Sequence, residues 1–300
     1  MKLHPTLPSW LSSGLVPFAL ACLLFTASPA TAAGAAAKIY RFTSAPSNTS
    51  GSLLTLEHPA LNGKSTLRPV ITQYSTGVAN PHPVGVLYSN LFKKWQIVNE
   101  DGEDIPANAN FNVMILPTTK PVGVGPANLD GNLAFFTIQK NNAQARLLAT
   151  HMCNPYPTLQ PGMQRNVMGL FYIPAGSRAP QSSARWALFQ ENGQAQTVST
   201  YHIADVTNLA VAKAPISFRH TAAAANTTGS ETVITNPLTD GKPDAVLFIQ
   251  HVFTEAAPKN VDESLGVRYT DGKWRIFVQD GGALPVTSEF VVAAFPGVSP

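Results

Sequence analysis

The chain has 300 residues, of which 44% are hydrophobic and 12% charged, with 25 Pro, 21 Gly and a formal net charge of +3. Enough apolar residue is present for a buried core, which excludes a disordered tail, and so small a charge excludes the basic surface field on which nucleic-acid binders rely. Sparse charge with frequent Pro and Gly favours many short strands and turns over helix bundles.

The chain opens on a segment that reads as a secretory signal. Lys2 gives a positive start, Leu15 to Phe25 is an apolar run, and Ala30-Thr31-Ala32 fits the small-x-small pattern of signal peptidase. A signal peptide over 1–32, cleaved after Ala32, is therefore expected, with the mature protein secreted or periplasmic. The apolar run is too short to span the roughly 30 Å of a bilayer core. Leu23, Leu24 and Phe25 continue it beyond Cys22, and Ala19-Leu20-Ala21-Cys22 lacks the usual leading Leu, so lipid attachment at Cys22 is disfavoured. Without Cys22 the remaining thiol is Cys153, which cannot form an internal disulfide, so burial must supply the stability. No later run is long and apolar enough for a membrane span.

After the signal, the first repeat, over 38–118, carries Asn48-Thr49-Ser50-Gly51, Pro59, Gly63, Val70 to Gln73, Gly85-Val86-Leu87-Tyr88, Lys94-Trp95-Gln96-Ile97, Asp101-Gly102, Pro106 and Phe111. The same landmarks return at an offset of about 180 residues in a repeat over 214–296, from Asn226-Thr227-Thr228-Gly229 through Gly266-Val267-Arg268-Tyr269 and Lys273-Trp274-Arg275-Ile276 to Phe290. Between them a degenerate repeat over 132–204 keeps Gly169-Leu170-Phe171-Tyr172, Arg185-Trp186-Ala187-Leu188, Glu191-Asn192-Gly193 and Tyr201-His202-Ile203. Its opening is read as shortened, with Phe136 to Gln139 and Leu147 to His151 as its strand-like runs. Trp10 lies in the signal and the other three Trp share one repeat position, which suits an aromatic core plug better than a sugar-stacking surface. Asp271-Gly272 between two strand-like runs predicts a hairpin, and the corresponding connections after Tyr88 and Tyr172 vary in length, as solvent-facing loops do. The expected fold is all-β: tandem antiparallel repeats of about 80–90 residues, sandwich- or barrel-like.

These landmarks resemble an uncharacterised bacterial exported repeat domain of unknown function. Its pattern is carried by His58-Pro59-Ala60-Leu61-Asn62-Gly63, Pro83 to Tyr88, Trp95 to Asp101, Ile105-Pro106 and Phe111-Asn112-Val113. The third copy departs by Asn236-Pro237 and Phe290-Val291-Val292, and the middle copy departs far enough that a family profile is expected to miss it. The resemblance implies an exported, multi-copy β module and no activity.

No candidate chemistry rises above the bland reading, so no catalytic, cofactor-binding or metal-binding residue is assigned. His58, His82, His151, His202, His220 and His251 form none of the close pairs that metal sites use on one element. His151 with Cys153 could begin a thiol site, but the sequence identifies no partner. The acidic run Asn99 to Asp104 lacks the register of a calcium loop and is better read as a solvated turn. Glu100 with Asp101, or Glu231 with Asp244, are not singled out as a hydrolytic carboxylate pair. Asn48 and Asn226 satisfy a glycosylation pattern but sit before Gly at equivalent turns.

The expected function is a non-catalytic exported module for binding, adhesion or structure at the cell surface or in the periplasm, with a protein or glycan partner and no nucleic acid. The contrasting expectation is a secreted hydrolase with its site between repeats. Sites shared by copies should repeat, whereas an active site should rest on polar residues unique to one copy.

Overall fold

The computed structural model describes residues 37–153, 162–177, 183–211, 214–255 and 258–295. The chain divides into Met1–Gly34 and Ala35–Pro300, and every described residue lies in the second, compact unit. The signal segment, with Trp10 and Cys22, lies outside the described residues.

Copy one supplies β1 (Lys38–Thr43), β2 (Thr49–Ser50), β3 (Leu53–Leu56), β4 (Pro69–Tyr74), β5 (Val84–Ser89), β6 (Lys94–Asn99) and β7 (Asn110–Ile115). Copy two supplies β8 (Lys120–Val124), β9 (Leu129–Asp130), β10 (Leu133–Phe136), β11 (Leu147–Met152), β12 (Met168–Ile173), β13 (Arg185–Gln190) and β14 (Ser199–Asp205). A small pair, β15 (Ala210–Val211) and β16 (Ala214–Pro215), leads to copy three. That copy supplies β17 (Ser217–Thr221), β18 (Thr227–Thr228), β19 (Glu231–Val233), β20 (Val246–Phe253), β21 (Leu265–Thr270), β22 (Lys273–Val278) and β23 (Glu289–Phe295). Among the described residues the helical content is one 3-10 turn at Pro126–Asn128.

The middle copy therefore has the full strand complement, opening with β8 and the β9–β10 hairpin; of the run read at Phe136 to Gln139 only Phe136 is in strand, at the end of β10, and the rest turns, while Leu147 to His151 falls in β11. Lys120-Pro121-Val122-Gly123-Val124 gives no strand signal because Pro and Gly are depleted from strands, yet β8 is an edge strand paired only to β14, where a missing N–H is tolerated. Leu133 to Phe136 is buried on both faces, which removes the alternation that would have marked it.

No copy owns a sheet. The three seven-stranded sheets run β1-β7-β4-β21-β22-β19-β18, β2-β3-β6-β5-β11-β14-β8 and β17-β23-β20-β12-β13-β10-β9. Each joins three strands of one copy to four of another through a parallel pair: β4 with β21, β11 with β5, and β20 with β12. Copy one thus completes copy three, copy two completes copy one and copy three completes copy two, a cycle with threefold connectivity. All other ladders are antiparallel. Each sheet keeps two edge strands, so none closes into a barrel. Because half of each sheet comes from another copy, no copy can bury its apolar faces alone.

The sequence landmarks are the parts of this cycle. Trp95, Trp186 and Trp274 are fully buried. Their indole N–H groups donate to the carbonyls of Lys64, Asn142 and Lys242 at 3.0, 2.9 and 2.9 Å. Each ring meets the Tyr of the preceding strand edge-on, with centroids 5.4, 5.3 and 5.6 Å apart for Tyr88, Tyr172 and Tyr269. The Trp is thus a core plug with its one donor satisfied.

Candidate functional site

Buried polar groups converge where one copy completes the next. Registers through the parallel pairs make Gln73, His151 and His251 equivalent, one on each of β4, β11 and β20. Facing them, just beyond the Trp-bearing strands, are the equivalent Glu100, Glu191 and Gln279. The first seam joins His151 Nδ1 to Glu100 Oε2 at 2.7 Å, and the second joins His251 Nδ1 to Glu191 Oε1. At the third seam both positions are Gln. Each acid or amide also accepts a backbone N–H from the completing copy, from Gln164 to Glu100, Val261 to Glu191 (3.0 Å) and Asn80 to Gln279 (3.3 Å), all four residues before a landmark strand.

The Gly of Gly-Val-x-Tyr exists for this reach. Gly85, Gly169 and Gly266 lie directly under the side chains of Glu100, Glu191 and Gln279, and a Cβ at any of them would overlap those atoms. None of the three has positive φ, so the need is for space rather than for backbone freedom.

Near the seams, the three completing strands lock together through a ring of side-chain acceptors. Thr150 Oγ1 accepts from Ile71 N–H (3.1 Å), Gln250 Oε1 from Ala149 N–H (3.2 Å) and Thr72 Oγ1 from Ile249 N–H (3.2 Å). Thr72, Gln73, Thr150, His151, Gln250 and His251 line one cavity of about 130 Å³. At about 30 Å³ per water it holds about four waters, against roughly 300–1,000 Å³ for an ordinary small-molecule site.

The other candidates do not converge there. His202 donates from Nδ1 to Pro69 O at 2.9 Å and sits edge-on to Trp95, and His220 meets Thr232 Oγ1 at 2.9 Å. Burial pulls both imidazoles down to a pKa of about 4, so they are neutral at pH 7. His58 Nδ1 accepts from Ala60 N–H in a turn, and His82 pairs with Asp101 at 2.7 Å. The acids of residues 100 to 104 diverge, because Glu100 turns inward to His151 while Asp101 turns to His82. Glu231 is held by Arg268 and Arg275, and Asp244 is exposed. Asn48 and Asn226 play one turn role twice, each accepting a local N–H and donating to the carbonyl five residues back.

Cys153 follows β11 on the same side as His151 and is buried. Among the described residues, Glu100, His151 and Cys153 form a metal-ligand-type cluster whose donor atoms all lie within 4.8 Å of one another. Burial first and the Glu100 charge second push the thiol well above its ordinary pKa, which keeps it protonated. In a thiol triad the imidazole bridges sulfur and carboxylate; here the His151 Nδ1 contact is to Glu100 and the thiol faces Val86 O at 3.4 Å.

Sequence reasoning missed Glu100 and Glu191 as partners of His151 and His251. The usable signal was covariation inside the chain: Glu100–His151, Glu191–His251 and Gln279–Gln73 change together. It becomes legible only once the seam is known to join different copies.

A family model described as a domain of unknown function, DUF7452, matches residues 30–115 and 169–294, more than half of the chain. It takes in the second half of the middle copy and leaves 116–168 unmatched. No curated protein and no solved structure matches the chain. Among the described residues no helix is long and apolar enough to cross a membrane.

Proposed function

Because the chain belongs to the DUF7452 family, a domain of unknown function, we propose its role from geometry: an exported, non-catalytic module that binds a protein or glycan partner at the cell surface or in the periplasm. The observation that carries this reading is that its convergent polar groups recur at equivalent positions around a cavity with room for about four waters. Such groups hold copies together; they do not enclose a substrate. A thiol-dependent form of the hydrolase alternative would need Cys153 as nucleophile, and its thiol is held protonated beside a carboxylate.

Contact with a partner falls to the loop after Tyr88. Leu91 and Phe92 there are 82% and 61% exposed, beside an open groove of about 830 Å³ lined by Asn48, Thr55, Glu57, Lys94 and Gln96. In copy three the corresponding connection is the tight Asp271–Gly272 turn, and Arg268, Arg275 and Glu231 occupy the sheet beside it with ion pairs. Within the loop after Tyr172, residues 178–182 lie outside the described residues.

Export supplies the address, through the expected signal peptide over 1–32. A glycan array and a cell-surface pull-down with the purified mature protein should give binding that Phe92→Ala weakens, with no turnover on ester and glycoside panels. Turnover lost in Cys153→Ser, with no binding in either screen, would overturn the proposal.

A further inference from the structure

Of the three seams, the first alone carries a thiol. Where Cys153 stands, copy one has Ser75 and copy three has Phe253, an equivalence fixed by the backbone bonds Ser75 N–H to Val267 O and Cys153 N–H to Val86 O. Phe253 packs its ring on Phe171 and Phe189 and so fills the second seam with hydrocarbon. The first seam instead presents sulfur, imidazole and carboxylate together, all buried. With His151 Nδ1 committed to Glu100, the ring's Nε2 is buried and unpartnered.

We propose that the seam between copies one and two is a binding site for one divalent transition-metal ion of the zinc type, ligated by Cys153, His151 and Glu100.

Three features favour it. Zinc bonds to sulfur, nitrogen and oxygen are about 2.0–2.3 Å long, which sets ligand atoms roughly 3.2–3.8 Å apart. One donor atom of each residue lies within 4.8 Å of the others and His151 Nδ1 is 2.7 Å from Glu100 Oε2, so shifts of about 1 Å, with Nδ1 exchanging its hydrogen bond for the metal, close the shell. Two anionic ligands neutralise a divalent cation, leaving a buried cluster without net charge. Glu100 and His151 also line the small cavity, which can place a water in the fourth position of a tetrahedral site. Thiolate with imidazole selects zinc-like ions over calcium or magnesium. Binding replaces the Cys153 S–H bond by a sulfur–metal bond and releases that proton to solvent, so affinity rises with pH.

The test is a Co²⁺ titration of the full purified chain, followed by Zn²⁺ competition. The expected result is one equivalent of Co²⁺ with thiolate-to-metal charge-transfer absorption in the near ultraviolet, displaced by Zn²⁺. Cys153→Ser should abolish that absorption and weaken Zn²⁺ binding at least about tenfold. A double variant, Glu100→Gln with His151→Gln, copies the Gln73 and Gln279 pair that the fold already accepts at the third seam, and should also lose binding. The matching change at the second seam, Glu191→Gln with His251→Gln, should keep it. Absence of the thiolate absorption in the parent, or equal Zn²⁺ affinity in Cys153→Ser, overturns the site.

Discussion

The second seam makes a quantitative statement about how the copies cohere. Glu191 and His251 are both inaccessible to solvent, and Glu191 also accepts the N–H of Val261. Truncation to Glu191→Ala strands the His251 ring and the Val261 N–H together. Each unsatisfied buried group costs about 1–3 kcal/mol, so stranding two of them is expected to cost about 4 kcal/mol. Glu191→Gln keeps the acceptor for Val261 and leaves an imperfect partner for His251, for about 1–3 kcal/mol. His251→Gln alone should cost about the same. The double variant Glu191→Gln with His251→Gln reproduces the residues of the third seam, Gln279 and Gln73, and should return to within about 1 kcal/mol of the parent, a coupling of at least about 1 kcal/mol. Urea unfolding of the four proteins at pH 7, followed by Trp fluorescence and analysed as a double-mutant cycle, reads each value directly. If the two Gln substitutions simply add, the equivalence of the seams is structural coincidence and the reasoning fails.

Other consequences follow from the same cycle of contacts. Trp95→Ala, Trp186→Ala and Trp274→Ala should each cost about 3–5 kcal/mol, because all three plugs are fully buried with the same N–H to carbonyl bond and the same Tyr contact; a member that costs under about 1 kcal/mol in urea unfolding would break the threefold description. Gly169→Ala should be among the most damaging single-methyl changes in the chain, since its Cβ meets both the Glu191 carboxylate and the Phe189 ring, and thermal unfolding should show it while Gly193→Ala, over open space, costs only its positive-φ strain of about 1 kcal/mol. His202 and His220, with pKa near 4 when folded against 6.5 as the ordinary value, stabilise the fold above pH 6.5 and lose that contribution as pH falls towards 4, because the unfolded chain then binds more protons. His202→Asn imitates Asn112, which donates to Leu247 O at the equivalent place, so it should keep the bond to Pro69 O while flattening the stability–pH profile across that window.

How much of this was legible in the sequence depended on whether a residue's reason for being there was local. The turns at Asn48 and Asn226 and the Trp strands were readable because each is fixed by neighbours within its own copy. The opening strand and hairpin of the middle copy were hidden. Pro121 is acceptable only because β8 lies on an edge, and Leu133 to Phe136 lose their alternation only because both faces are covered. The seam pairs Glu100–His151 and Glu191–His251 each join two copies, whereas the positions beside them compensate within one copy. Asn80 and Asn99 exchange amide bonds in copy one, Gln190 donates to Gln164 Oε1 at 3.4 Å in copy two, and Val261 and Val278 stand at the same positions in an apolar cluster in copy three.

By itself, then, the chain's order of residues determined a β-rich unit written three times around a buried indole, since periodic burial and turn chemistry act over a few residues and leave their mark on adjacent letters. Tertiary structure alone decided that the units share sheets in a cycle, and that Glu100, His151 and Cys153 meet inside it. Those contacts join residues some 50 positions apart in different copies, and the desolvation that makes them matter arises only when the sheets have closed over them.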